Sequence, residues 1–272
     1  MDSSTQHIVC YSGGHSSALV AIEVFRKYGK DNLILLNHDI HASVENADIK
    51  RFKKEVADYI GIPVTYANME NFDKKDQFDV VVEAKAFKVR NGTALCTNRL
   101  KTAPFERYLE EKFKDKNCII YYGFDENEKV RIQRRSSILG VQGYRTDYPL
   151  AFWVRTIKST REIGIEPPLT YSVFKHANCV GCLKAGRQHW YVVYCTRPDI
   201  WERGKWAENQ IGYTIIKGTS LLELEPLFKQ MKDAGIEPSE KLQAQTFWKQ
   251  VRDKLKACNI EDESNKPCEC VI

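Results

Sequence analysis

The sequence contains no long run of apolar residues, which argues against a membrane-spanning segment. The first residues, Met1–Thr5, are mostly polar and lead directly into a strand-like segment, so we expect no signal peptide and a cytoplasmic protein. Internal repeats and low-complexity linkers are also lacking. A chain of 272 residues with this character is long enough for one large domain, or for one domain with a smaller appendage.

Neither sign of charge is in large excess. The formal net charge of +5 suits an anionic ligand and permits nucleic acid as a partner without requiring it. The nine cysteines are odd in number and unpaired in spacing, which argues against a disulfide framework. In a reducing cytosol, clustered cysteines more often serve metal or redox chemistry.

Strand-like and helix-like segments alternate through the first half of the chain. This alternation predicts an α/β fold, a doubly wound and mostly parallel sheet with helices on both faces. After Pro149 the strand signal fades, and we predict a mainly helical region there. The predicted domains are residues 1–150 and residues 151–272. The predicted strands are Ile8–Tyr11, Leu33–Asn37, Pro63–Ala67 and Cys118–Phe124. The predicted helices are Ser16–Tyr28, Val44–Ile60, Phe78–Lys88, Pro104–Phe113 and Glu126–Leu139, then Ser159–Ile163, Gln188–Cys195, Pro198–Asn209, Ser220–Ala234 and Pro238–Ala257.

A glycine-rich turn joins the first predicted strand to the first predicted helix. Its sequence is Ser12-Gly13-Gly14-His15-Ser16-Ser17. The glycines let the backbone approach a phosphate, and the helix N-terminus offers free N–H groups and a positive dipole end. The turn therefore predicts an anion site, with a tight turn capped by serine as the alternative. It matches neither the Walker A nor the Rossmann pattern.

Three further segments accompany this turn. They are Asn37-His38-Asp39, Cys96-Thr97-Asn98-Arg99-Leu100-Lys101-Thr102-Ala103-Pro104, and Gly123-Phe124-Asp125-Glu126-Asn127-Glu128-Lys129-Val130-Arg131. In this order the four segments resemble the PP-loop superfamily of ATP pyrophosphatases, tRNA-thiolation enzymes and reductases of phosphoadenosine phosphosulfate (PAPS). The resemblance is strongest to the PAPS reductase branch, and it covers residues 8–131.

The resemblance implies that residues 1–150 form a nucleotide-binding domain for ATP or PAPS. The phosphates would lie on Ser12–Ser17 and the adenosine beside Asp39. The resemblance also implies nucleotide-binding roles for Gly123 and Glu128, and catalytic roles for Lys101 and Arg131; the alternative for Glu128 is an i, i+3 pair with Arg131. Arg99 is a further candidate to bind a phosphate, with a solvated cation as the alternative. His15 stands at the variable position of the loop and is a nucleotide-binding and catalytic candidate because it could donate to a phosphate oxygen; the alternative is a solvent-facing side chain. Mg²⁺ is a candidate cofactor, but Ser16 stands where the superfamily carries an aspartate and offers no carboxylate to a metal.

Several of the cysteines have the spacing of metal ligands. Cys179-x-x-Cys182 is half of a tetrahedral thiolate site, and the tail pair Cys268-x-Cys270 completes it for zinc or a [4Fe–4S] cluster. The alternative set joins Cys96 and Cys195 to the first pair. In a third interpretation Glu269-Cys270 resembles the C-terminal segment of cluster-free PAPS reductases. There a free cysteine attacks sulfur, and a thioredoxin-like reductant releases sulfite.

These patterns favour an enzyme that uses an adenine nucleotide for sulfur or adenylyl-transfer chemistry. The first alternative is sulfur insertion into nucleic acid, with Arg131, Arg134 and Arg135 on a basic helix holding the substrate. The second is a nucleotide-binding or sensing module without turnover, motivated by His15 and Ser16 in the loop. The aromatic residues after Cys182 are expected to form a core rather than to stack on bases.

Overall fold

Five parallel strands form one sheet in the order β3-β2-β1-β4-β5. The computed structural model describes residues 5–72, 74–89, 92–177 and 179–257. The strands are β1 Gln6–Cys10, β2 Leu33–Asn37, β3 Val64–Tyr66, β4 Cys118–Tyr121 and β5 Arg145–Asp147. The predicted α/β class is confirmed. The sequence prediction missed β5, a three-residue edge strand without an apolar side chain.

Helices follow each strand and fill the rest of the chain. In the first half they are α1 His15–Tyr28, α2 Ala47–Ile60, α3 Gln77–Glu83, α4 Leu95–Thr97, α5 Ala103–Lys112, α6 Lys129–Val141 and α7 Pro149–Phe152. In the second half they are α8 Arg187–Thr196, α9 Pro198–Ile211, α10 Leu221–Asp233 and α11 Ala244–Ala257. The π-helical turn Asn98–Thr102 joins α4 to α5, and 3₁₀ turns occupy Glu126–Glu128, Thr160–Ile163 and Leu169–Ser172.

The sheet is covered on both faces. Successive residues of a strand point to opposite faces, and in β1 both Ile8 and Val9 are fully buried. Val9 packs in the cluster that α1 and α2 contribute to, whereas Ile8 packs in the cluster that includes Leu109 of α5 and Leu139 of α6. This two-sided burial explains the nearly continuous apolar strands of the sequence.

The strand order places a change of direction between β1 and β4. From β1 the chain runs outward through β2 and β3, then crosses to the other side of β1 to form β4 and β5. The loops that leave β1 and β4 therefore diverge. Such a point is where open α/β sheets form their ligand crevice.

The chain divides into two compact units, Met1–Tyr171 with His176–Val180, and Ser172–Lys175 with Gly181–Ile272. The first unit contains the sheet. The second contains α8 to α11, and its core includes the buried side chains of Trp190, Trp201 and Phe228. The predicted boundary at residues 150 and 151 stays a prediction, and the compact units divide later in the chain.

Candidate functional site

The turn between β1 and α1 packs tightly against side chains of α2. Gly13 has a φ of +80°, in the left-handed region that favours glycine. A Cβ atom there would lie 2.7 Å from Lys53 Cγ, 2.8 Å from Lys53 Cδ and 2.9 Å from Ile49 Cγ2. The stem of Lys53 therefore forms the floor of the turn, and Gly13 has no room for a side chain.

The first turn of α1 presents backbone donors. The His15 N–H donates to the hydroxyl of Tyr171 over 3.0 Å, and the Ala18 N–H donates to the Gly14 carbonyl over 3.1 Å. No acceptor for the N–H of Ser16 or Ser17 lies among the described residues. These two donors stand at the positive end of the helix dipole, so the turn can bind an anion.

The hydroxyls of Ser12 and Ser17 make hydrogen bonds inside the turn. Ser17 Oγ donates to the Gly14 carbonyl over 2.8 Å, and Ser12 Oγ donates to Ser17 Oγ over 3.2 Å. Each hydroxyl retains oxygen lone pairs but uses its hydrogen internally. The free donors of the turn are therefore its backbone N–H groups rather than these two hydroxyls.

Gly123 brings the loop after β4 against the same turn. A Cβ atom at Gly123 would lie 3.2 Å from both Ser16 C and Ser17 N, which are backbone atoms. The glycine therefore allows a close approach of two backbones beside the free donors. Gly123 and the turn meet at the carboxyl ends of β1 and β4, where the chain changes direction.

His15 is engaged by the fold. Its Nε2 accepts a hydrogen bond from the Thr160 N–H over 3.3 Å, which leaves the ring proton of the neutral form on Nδ1. Burial lowers the pKa of His15, and the charges of Arg161 and Arg155 lower it further. His15 is therefore a neutral imidazole near pH 7 with only Nδ1–H free to donate.

Asp39 follows β2 and is fixed through its backbone. The side chain of Asn68 accepts from the Asp39 N–H over 2.8 Å and donates to the Asp39 carbonyl over 2.9 Å. The carboxylate of Asp39 accepts from Lys50 Nζ over 3.0 Å and is partly exposed. An exposed oxygen at this edge of the sheet can accept from a ribose or adenine donor.

A chain of charges connects Asp39 to the floor of the turn. Lys50 Nζ lies 3.7 Å from Glu45, and Glu45 accepts from Lys53 Nζ over 2.8 and 3.0 Å. The Lys53 side chain is 2% exposed, and its ammonium group also lies 5.6 Å from the Tyr66 ring centre. Lys53 was missed in the sequence analysis. The available signal was a lysine four residues after Ile49, on the apolar face of α2.

His38 lies at this edge and is affected by the charge of Lys101. His38 Nδ1 lies 2.5 Å from the Ala67 carbonyl oxygen, so Nδ1 carries the proton. Burial lowers the pKa of His38 to about 4, and the charges of Lys101 and Lys53 contribute to the lowering. Lys101 lies in the π-helical turn, a geometry often found at functional sites. Arg99 lies in the same turn and is exposed.

Glu128 and Arg131 pair with each other at the start of α6. The Glu128 carboxylate accepts from the Arg131 guanidinium and, through its other oxygen, from the Asp125 N–H over 3.1 Å. The Arg131 guanidinium carbon lies 4.3 Å from the centre of the Phe124 ring. Both side chains thus have structural partners, and Arg131 remains largely exposed.

The predicted metal ligands are only partly among the described residues. Cys179 belongs to the first unit and Cys182 to the second, while Cys268 and Cys270 lie outside the described residues. Within residues 5–257, apart from the gaps given above, no group of three or more His, Cys, Asp or Glu side chains is placed to hold a metal ion. The described residues therefore do not assemble the alternative ligand set that includes Cys96 and Cys195.

The loop that carries Cys182 is held by hydrogen bonds to His189. His189 Nε2 accepts from the N–H groups of Gly181 and Cys182 over 3.1 and 3.2 Å, and His189 Nδ1 lies 2.6 Å from Glu240 Oε1. Burial raises the pKa of Cys195. In this second unit the histidine acts as a hydrogen-bond acceptor for the loop.

Fold and site together define an α/β protein with a glycine-rich turn and two free backbone donors at the change of direction of its sheet. No family model matches the chain. The chain is similar to the uncharacterized nin region protein ORF290 of Escherichia phage lambda, with 24% identity over 208 residues, or 67% of each chain. That name states no activity, so the similarity indicates no function. No helix within the described residues is long and apolar enough to cross a membrane.

Proposed function

We propose that this chain is a PP-loop enzyme that binds ATP or PAPS and catalyses sulfur or adenylyl transfer. The observation that carries the proposal is the turn itself. It places the Ser16 and Ser17 N–H groups at the end of β1, with Gly123 packed against their backbone. The phosphates would lie on these donors, and the adenosine would extend toward Asp39.

The cations near this edge suit the anionic end of such a nucleotide. The charge of Lys101 lowers the pKa of His38. Arg131 lies in the first turn of α6, and only the 3₁₀ turn Glu126–Glu128 separates α6 from the loop that contains Gly123. These residues would hold and orient the phosphate or sulfate group. A zinc ion or [4Fe–4S] cluster would take ligands from Cys268 and Cys270, which lie outside the described residues.

Calorimetric titration with ATP, PAPS and adenosine tests the binding step. ATP or PAPS should bind, and adenosine should bind much more weakly because it carries no phosphate. Gly123→Ala should weaken phosphate-dependent binding about tenfold, since its Cβ would press on the Ser16 and Ser17 backbone. The matched control is Gly140→Ala, where an added Cβ meets nothing within 4 Å.

Product analysis tests the catalytic step. Release of pyrophosphate or AMP from ATP, or of sulfite from PAPS, would support an enzyme. Tight binding without any product would favour the non-catalytic module. Equal binding of adenosine and its phosphorylated forms would contradict the proposed role of the turn.

A further inference from the structure

The helix α6 differs from the other basic helix of the first unit in how its cations are used. It carries Lys129, Arg131, Arg134 and Arg135 and no acidic residue. In α2, by contrast, Arg51 pairs with Asp48 and Glu55, and Lys54 pairs with Asp58. Among the described residues no carboxylate lies within 4.0 Å of the side-chain nitrogens of Lys129, Arg134 or Arg135.

The side chains of α6 are also mostly exposed or half-buried. Of its thirteen residues, Leu139 alone is buried. Hydrogen bonds also hold the helix, since Ser136 Oγ lies 2.8 Å from Tyr148 Oη and 3.2 Å from Thr146 Oγ1. Two of its arginines in addition lie over aromatic rings. Arg131 lies over the Phe124 ring, as described above, and the Arg135 guanidinium carbon lies 5.4 Å from the Tyr122 ring centre.

The rings beneath these arginines form a stack that continues to an exposed aromatic side chain. Tyr122 and Phe124 are stacked with ring centres 5.5 Å apart, and each lies 6.1 Å from Tyr148. The Phe152 ring meets Tyr148 edge-on at 6.3 Å and is 69% exposed. An aromatic face thus reaches the solvent beside a row of unpaired cations.

We infer that α6 and Phe152 form a binding surface for single-stranded nucleic acid. The exposed cations Lys129 and Arg134 and the half-buried Arg135 neutralise phosphates, and Phe152 stacks on an unpaired base. A polyanion complements a helix with four cations and no acid, and a free base complements an exposed ring. The two carboxylates of the preceding turn oppose this charge, but Glu128 is already neutralised by Arg131.

The inference extends the proposed function without depending on it. Phe124 follows Gly123 directly, so the surface begins beside the candidate nucleotide site. A strand bound there would be placed as an acceptor for chemistry at that site. Lys129, Arg134, Arg135 and Phe152 have no part in the proposed nucleotide site, so strand binding and nucleotide binding can each fail while the other holds.

Fluorescence anisotropy with a labelled 20-nucleotide single strand tests the surface across a range of salt concentrations. Arg134→Gln/Arg135→Gln should weaken binding at least tenfold and reduce the magnitude of the logarithmic salt slope by about 1.4, or about 0.7 for each lost phosphate contact. Lys249→Gln/Arg252→Gln removes two exposed cations from α11 and is the charge-matched control. Arg134→Gln alone provides a second variant that leaves the Arg135 stack intact.

Phe152→Ala separates stacking from charge. It should weaken single-strand binding about tenfold, leave the salt slope unchanged and leave heparin binding unchanged, because heparin has no bases. The inference would be overturned by an equal loss with the α11 control, by equal binding of duplex and single strand without any Phe152 effect, or by no binding at low salt. An acidic peptide that competes as well as the oligonucleotide would point to a protein partner and also refute it. ATP and PAPS titrations of the same variants should be unchanged.

Discussion

Gly13→Ala is the substitution for which the structure gives the clearest expectation. Two costs add at this position. A left-handed conformation costs a residue with a Cβ about 1–2 kcal/mol, and overpacking of a tight site costs about 1–3 kcal/mol more. The second cost applies because the new Cβ would lie within 3.0 Å of Lys53 and Ile49 atoms. Since Lys53 is buried and paired with Glu45, its stem cannot move aside freely. We therefore expect a total loss of about 2–5 kcal/mol in the free energy of unfolding.

Gly164→Ala is the control that isolates the backbone cost. Gly164 has a φ of +76°, but a Cβ there would meet nothing within 4 Å. This variant should lose only about 1–2 kcal/mol. Urea denaturation followed by circular dichroism measures both variants on one scale. If Gly13→Ala lost no more stability than Gly164→Ala, the contact between the turn and Lys53 would be wrong.

Two further substitutions test the groups around the turn. Lys53→Met should cost up to about 5 kcal/mol because the nearly buried Glu45 carboxylate loses both hydrogen bonds from Lys53 and keeps only Lys50, 3.7 Å away. Lys53→Met/Glu45→Gln should recover part of that loss in the same denaturation assay. A double variant no more stable than the single one would show that Glu45 is not the reason for the cost. His38→Asn should flatten the fall in stability below pH 6.5. The wild-type His38 pKa of about 4 lies below the unfolded value, so the unfolded chain binds the proton first, and stability is lost as pH falls through that window, by about 3 kcal/mol in total. An unchanged slope of unfolding free energy against pH would contradict the burial of this imidazole.

The sequence was sufficient to predict the parts of the fold that depend on local apolar pattern. Strands β1, β2 and β4 are buried on both faces, and their continuous apolar runs are the strongest signal in the chain. The strand β5 carries Arg145, Thr146 and Asp147, and it forms because β4 offers it an open edge. No pattern in three polar residues could reveal that pairing.

The start of α11 shows the same limit at a helix end. The prediction placed it at Pro238, but the helix begins at Ala244. Glu240, which lies between them, instead accepts from the Lys175 N–H and contacts His189. These partners are distant in sequence, so tertiary hydrogen bonds rather than local propensity decide where the helix starts.

In the candidate site, too, the local features could be predicted from the sequence and the long-range contacts could not. Its glycines could be located because a turn between a strand and a helix has a local signature, whereas Tyr171 reaches the His15 N–H from 156 residues away. The imidazole of His15 accepts a hydrogen bond from Thr160, and Ser16 offers no carboxylate to a metal ion. An anion on this turn would therefore be held by backbone N–H groups and nearby cations, not through a metal on the loop. If the proposed nucleotide binds, its affinity should depend little on Mg²⁺, and titration with and without EDTA would measure this directly.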